Sequence, residues 1–201
     1  MGRTSDARER LLAAALSLFA EKSYSAVGIA EICARAGVQK GSFYYFFPSK
    51  EALALATIED HWIRQKSDWA SILHGEGSPL ERLHRLFDAT TQIQADALAG
   101  TGTVTGCLFG NLALEVGAIS EPIRERLQGV FAEQVEMITS HLEQAVASGE
   151  IEPVDTVAAA KSIVAQLEGL ILFAKLFNDP AQLDAMWASS LRLVGVTERV
   201  S

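Results

Sequence analysis

Cysteine is scarce in this chain: Cys33 and Cys107 are the two in 201 residues. Thiols that far apart in sequence make no disulfide framework, so packing must hold the fold. Histidine is almost as scarce. The four, His61, His74, His84 and His141, form no HExxH and no Cys/His cluster at ligand spacing, so no metal site is expected. There is no GxSxG elbow. GTGTVTG at 100–106 has the glycines of a phosphate loop but neither its lysine nor its preceding strand. These absences argue against an enzyme and leave no cofactor to expect. The opening MGRTSDARER carries no hydrophobic segment and does not read as a signal peptide. The most apolar run, Leu170–Ala174, sits between Glu168 and Lys175 and is too short to cross a bilayer, which takes about 20 residues. A cytoplasmic protein is expected. Strand signal is low throughout.

What is present is 49% hydrophobic residues, arranged in long alanine- and leucine-rich runs. Their period is helical, so the expected fold class is all-α. The formal charge of −8 is unevenly spread. Residues 1–50 hold seven Lys/Arg and four Asp/Glu, a net +3, and the remainder holds ten and 21, a net −11. A basic head on an acidic body draws phosphate to the head.

The stretch from Gly28 to Glu51, GIAEICARAGVQKGSFYYFFPSKE, reads as two short helices joined by a tight turn. Ile29, Ile32 and Cys33 give the first helix one apolar face. Gly37 can take the left-handed conformation that ends it. The second runs from about Gln39 to Phe46 and is stopped by Pro48. Two helices and a glycine turn describe a helix-turn-helix. Gln39, Lys40, Ser42, Tyr44 and Tyr45 supply donors suited to phosphates and base edges, while Phe43, Phe46 and Phe47 can anchor inward. A lone lysine is often a solvated charge and a tyrosine half-buried packing; their grouping after a glycine turn favours DNA.

The run AGVQKGSFYYFFPSKEAL resembles the DNA-binding signature of the TetR family of bacterial transcriptional regulators, whose usual form is AGVSKGxxYxHFxSKExL. The resemblance covers roughly Arg8 to Leu55. It implies an N-terminal helix-turn-helix head, residues 1–50, and a larger helical ligand-binding and dimerisation body, residues 51–201. It implies DNA contacts from Arg3, Thr4, Gly28, Gln39, Lys40, Gly41, Ser42, Tyr44, Tyr45 and Lys50. Two positions depart from the pattern. Phe46 stands where a phosphate-contacting histidine is common, and Val27 and Gly28 replace the usual Thr/Ser helix start. The implied function is a DNA-binding regulator, a repressor released from operator DNA by a small molecule. The alternative is a helical ligand-binding or scaffold protein that no longer binds DNA.

In the body, a long helix from Ser49 to about Leu73 leaves the head. Others are expected at Pro79 to about Ala99, Cys107 to about Gly117, Pro122 to about Ser148, Val154 to about Phe177 and Ala181 to about Val196. The helix at Val154–Phe177 is apolar nearly all round, as a helix buried on more than one side is; both of the last two have excess apolar surface, and the resemblance implies that they pack on a second copy as a homodimer, with Leu170 and Leu191 in the contact. Candidate ligand-binding residues are Trp62, Trp69, Phe87, Thr90, Gln94, Phe109, Gln166 and Phe173, an apolar set with few polar anchors. Cys107, Asn111 and Glu115 recur at i, i+4 and i+8 and share one face. Polar groups on an inner face are either paired or presented to a ligand. The stretch GCLFGNLALEV followed by SEPIRERL resembles a TetR-like subgroup that includes repressors answering electrophiles or small unsaturated acids. Cys107 is then either a small buried hydrophobe or a sensor thiol.

Overall fold

The computed structural model describes residues 2–196, with side chains from Asp6 onward. Among these residues the regular structure is helical: α1 Gly2–Glu21, α2 Ile29–Ala36, α3 Lys40–Phe46, α4 Lys50–Leu73, α5 Pro79–Thr101, α6 Leu108–Val116, α7 Glu121–Ala147, α8 Thr156–Phe177 and α9 Met186–Leu193. The boundaries have local causes. Ser49 Oγ accepts from Ala52 N–H at the start of α4. Ser78 and Glu81 form a reciprocal capping box at α5, with Pro79 at its first position, and Gly102 closes that helix at φ 79°. Asp155 caps α8, and Asn178 ends it in the left-handed conformation.

The segment expected to form one helix from Ala181 does not. Asp179 accepts from Ala181 N–H and from the Gln182 amide, and Pro180 starts a tight 3-10 turn at Pro180–Leu183. Helix α9 begins only at Met186 and stops before Gly195, at φ 76°.

The chain divides into two compact units. The first holds residues 1–65 and 107–130; the second holds residues 66–106 and 131–201. The division falls inside α4 and α7, so α6 and the start of α7 pack with the N-terminal helices. The first unit's core is Leu11, Leu18, Ile32, Phe43, Leu53, Ile58, Trp62 and Phe109, all at most 1% exposed. Ser120 Oγ donates to Glu51 and Arg126 donates to Glu59, tying the start of α7 to α4.

In the second unit α8 packs on the 3-10 turn and on α9. His141 bridges backbone carbonyls, Nδ1 2.8 Å from Met137 O and Nε2 2.9 Å from Leu73 O, and so closes the end of α4. Helix α8 as a whole, 22 residues with mean hydropathy 1.6 over its most apolar stretch, has the length and composition of a membrane span, although the run at Leu170–Ala174 is short. Its apolar surface is only partly covered. Ile163, Leu167, Ile171 and Ala174 are buried, but Val157, Leu172, Phe173, Leu176 and Phe177 are exposed.

Candidate nucleic-acid interface and ligand-sensing residues

Gly37 at φ 62° returns its N–H to Ala34 O, and Val38 returns its own to Cys33 O, so α2 ends in a tight left-handed turn. Gln39 is then extended and starts α3. Burial sorts the side chains of α3. Phe43 is fully buried and Phe47 nearly so, while Tyr44 is 50% and Tyr45 75% exposed. Gln39, Lys40 and Gly41 are exposed and Ser42 is half-buried. The Phe43 ring meets Tyr44 edge-on at 5.3 Å, and Phe46 meets Tyr45 edge-on at 4.9 Å, so buried or half-buried rings fix the directions of exposed ones. A Cβ at Gly28 or Gly41 would meet nothing within 4 Å, so internal packing demands glycine at neither. The sequence-expected group Gly28, Gln39, Lys40, Gly41, Tyr44 and Tyr45 is thus exposed. Side chains of Arg3 and Thr4 lie outside the described residues.

Lys50 is placed differently from the expectation of a phosphate contact. Its Nζ donates to Tyr24 O and Val27 O, both at 3.0 Å, and lies 4.2 Å from the Tyr24 ring centroid. Burial lowers its pKa, against the opposing pull of Glu115. The physical reason is local: the loop between α1 and α2 turns its carbonyls toward the start of α4, and a lysine there satisfies two of them at once. Nearby, Arg35 forks onto Glu21 and also reaches Ser17. The Arg35 hydrogen bond, then that of Ser17, brings the Glu21 pKa down to about 2. This pair therefore supports the head above the ordinary carboxylate pKa and loses that support as pH falls toward 2; being solvent-exposed, it is a weak contribution that salt screens.

The expected ligand-binding residues fall in both units. In the first unit Trp62 and Phe109 are buried and meet edge-on at 6.0 Å, with His61 against Phe109 at 5.3 Å. Burial lowers the His61 pKa, which keeps its ring neutral at neutral pH. Cys107 is half-buried and precedes α6, accepting Asn111 N–H at its own carbonyl. Asn111 is half-buried on the same face. Glu115 is turned to the head. Its two carboxylate oxygens accept from the backbone N–H groups of Tyr24 and Ser25, both at 2.6 Å. Burial alone would raise its pKa, but the hydrogen bonds from Ser25, Tyr24 and Ser23 outweigh that and lower it. Glu115 is therefore a paired group of the head, which corrects its expected place in the ligand set: both of its oxygens are taken up by the two backbone amides.

In the second unit Trp69 and Phe87 are buried. Thr90 Oγ1 donates to Leu86 O in its own helix. Gln94, 3% exposed, grips the Gly106 peptide from both sides, its amide donating to Gly106 O and its oxygen accepting Gly106 N–H. That pairing uses its polar atoms structurally. Gln166 donates to Met186 O. Phe173 is 49% exposed and stacks on Phe177 at 6.0 Å, so it is a surface residue rather than a cavity wall. A cleft of about 430 Å³ between α5 and the 3-10 turn with α9 takes Phe87 from the expected set, together with His84, Asp88, Thr91, Gln92 and Trp187. His84 and Trp187 stack there at 4.5 Å. Among the described residues no cluster of His, Cys, Asp and Glu is arranged to hold a metal ion.

Comparison with known proteins agrees with this geometry. Residues 11–57 match the bacterial regulatory proteins of the tetR family, and residues 79–189 match the tetracyclin repressor-like C-terminal domain. The chain is 39% identical over 180 residues to the transcriptional regulator AcuR of Cereibacter sphaeroides, covering 88% of this chain and 80% of that one. It is 33% identical over 123 residues to the transcriptional repressor NemR of Escherichia coli, covering 61% and 60%. A regulatory protein TetR from Rhodobacter sphaeroides has TM-score 0.85 at 33% identity, covering 93% of this chain and 98% of that one. The reduced form of Escherichia coli NemR has TM-score 0.84 at 27% identity, covering 97% and 100%. With its two helices and glycine turn, its outward tyrosines and its matched body, the chain belongs to the TetR family of transcriptional regulators.

Proposed function

We propose that this regulator is a homodimeric repressor that leaves its operator when a small molecule binds. The observation that carries the reading is α3: a seven-residue helix with Phe43 fully buried and Lys40, Tyr44 and Tyr45 turned to solvent, on a head of net charge +3. Residues 1–50 then act as the DNA-binding domain and residues 51–201 as the ligand-binding and dimerisation domain. Gln39, Lys40, Gly41, Ser42, Tyr44 and Tyr45 approach the major groove, and Gly28 leaves the α2 backbone open to a phosphate. Arg3 and Thr4 are proposed on the flanking backbone. Two heads read half-sites about 34–36 Å apart, one helical turn of DNA. Ligand and operator oppose each other by one coupling energy.

Dimerisation through the last two helices is supported by the outer face of α8, where Leu172, Phe173, Leu176 and Phe177 are all at least 49% exposed. Gly169 on that helix has open space where a Cβ would be. A glycine inside a helix costs about 1 kcal/mol against alanine, which close approach of a second helix would offset. The test of the DNA reading is selection of duplexes from a random pool. The enriched sequences should be palindromic and bind about a thousandfold or more tighter than random duplex. Equal affinity for selected and random DNA would favour a scaffold or ligand-binding role instead.

For the ligand, the sensing residues are proposed to be Trp62, Cys107, Phe109 and Asn111, with Trp69, Phe87 and Thr90 as further candidates. A non-covalent small molecule is the favoured reading, since no basic residue lies near Cys107 in sequence to stabilise a thiolate. The second reading, an electrophile adding to Cys107, has one observation for it. The thiol is half-buried rather than core, at a helix start whose dipole favours an anion. Cys107→Ser is expected to keep operator binding and ligand release under the first reading, while Asn111→Leu raises the ligand concentration needed. Brief maleimide treatment and mass spectrometry separate the two. A Cys107 that labels only in denaturant removes the electrophile reading.

A further inference from the structure

The loop from Lys22 to Gly28 sets where α2 starts, and α2 carries α3 through the Gly37 turn. Four consecutive amides of this loop are satisfied, and by unlike means. Ala26 N–H goes to Ser23 Oγ and Val27 N–H to Tyr24 O. Tyr24 N–H and Ser25 N–H go to the Glu115 carboxylate, 91 and 90 residues away. Lys50 closes the same turn from its other side, taking the Tyr24 and Val27 carbonyls. Tyr24 also packs its ring on Phe19 of α1 at 5.3 Å, and Val27 is fully buried. The loop is thus gripped between an anion that holds two donors and a cation that holds two acceptors.

We infer that Glu115 is a positioning residue for operator binding: by holding Tyr24 and Ser25 it fixes the entry of α2, and so the pose of the reading helix. This rests on the DNA-binding reading above. Glu115 itself need touch no DNA. Its charge in fact disfavours phosphate nearby, so the two possible roles predict opposite signs. If Glu115 acted only as a surface charge, its removal would tighten DNA binding. If it positions the loop, its removal loosens two amides and weakens binding despite the gain in net charge. Asn111 and Glu115 lie one turn apart on α6, with Cys107 just before its start, so Glu115 is a point where a shift of that helix reaches the head.

The test uses the full-length dimer and its selected operator, with Glu115→Ala and Glu115→Gln. Glu115→Ala should weaken the operator on the order of tenfold, with Glu115→Gln between it and wild type. The slope of affinity against salt should stay unchanged, since no phosphate contact is removed. Hydrogen exchange gives a second readout, independent of DNA binding. The Tyr24 and Ser25 amides should be protected in wild type, and they should exchange faster in the variants while α7 amides do not change. Unprotected amides in wild type, or a folded Glu115→Ala dimer that binds as tightly as wild type or tighter, overturns the inference. A wild-type dimer that prefers no duplex overturns the operator reading and the inference together; variant binding equal to an active wild type overturns the inference alone.

Discussion

Leu176→Asp should convert the protein to a monomer and cost at least about a hundredfold in operator affinity. Leu176 is 70% exposed on α8, next to Phe177 at 60% and one turn beyond Leu172 at 51% and Phe173 at 49%. Leaving four large apolar side chains on one face is costly unless a second surface covers them. Two-fold symmetry would bring the same patch of the partner onto this one, so a single substitution introduces its charge twice. An unpaired carboxylate in an apolar contact is expensive, and the substituted residue has little internal packing to lose, so the protomer should still fold. A monomer reads one half-site and loses the gain of a tethered second head, which amounts to roughly 10²–10⁴. Light scattering of the purified variant checks assembly and an operator titration checks the rest. A variant that remains dimeric would place the contact elsewhere. Leu191, expected from sequence in the same contact, is 7% exposed and belongs to the protomer's own core. A charge there should unfold the C-terminal region rather than separate dimers.

That contrast marks what the sequence carries. Helix boundaries were legible because caps and breakers are local chemistry: Gly37, Pro48, Ser49, Pro79 and Asn178 each stop or start an element by their own backbone preference or side-chain reach. The helix-turn-helix was legible for the same reason, since its signature lies in one contiguous run. Partner identity was not legible. The spacing of Cys107, Asn111 and Glu115 predicts one shared helix face, but Cys107 precedes α6 and the groups that Glu115 holds are backbone amides of Tyr24 and Ser25, which have no sequence signature. Lys50 likewise stands in a DNA-binding motif while its ammonium is spent on the carbonyls of Tyr24 and Val27. The division of apolar residues on α8 between core and outer face was also hidden. A helix apolar nearly all round gives the amount of surface to be covered but does not say which stripe the protomer covers itself. The break before α9 was missed because Pro180 is acceptable at the start of either a 3-10 turn or an α-helix.

Lys40→Ala and Tyr44→Ala should each weaken the operator, and in distinguishable ways. Lys40 opens α3 and is exposed, so its ammonium is free to reach a phosphate. Its loss should weaken selected and random duplexes alike and lower the salt slope by about one. Tyr44 is half-exposed, with its ring held edge-on by the buried Phe43, so its hydroxyl is presented from a fixed direction. If that hydroxyl meets a base edge, Tyr44→Ala should leave the salt slope alone and cost about 1–3 kcal/mol at one position of the half-site, roughly fivefold to 150-fold. In the proposed homodimer both heads would carry the change, so a palindromic operator would feel it twice. Phe43→Ala is a different experiment: it removes a fully buried ring and should unfold the head, at about 3–5 kcal/mol, which is why exposed positions are the informative ones. Titrations at two salt concentrations, with operators altered one base pair at a time, read both effects. Unchanged affinity and unchanged slope in the two folded variants would take α3 out of the groove.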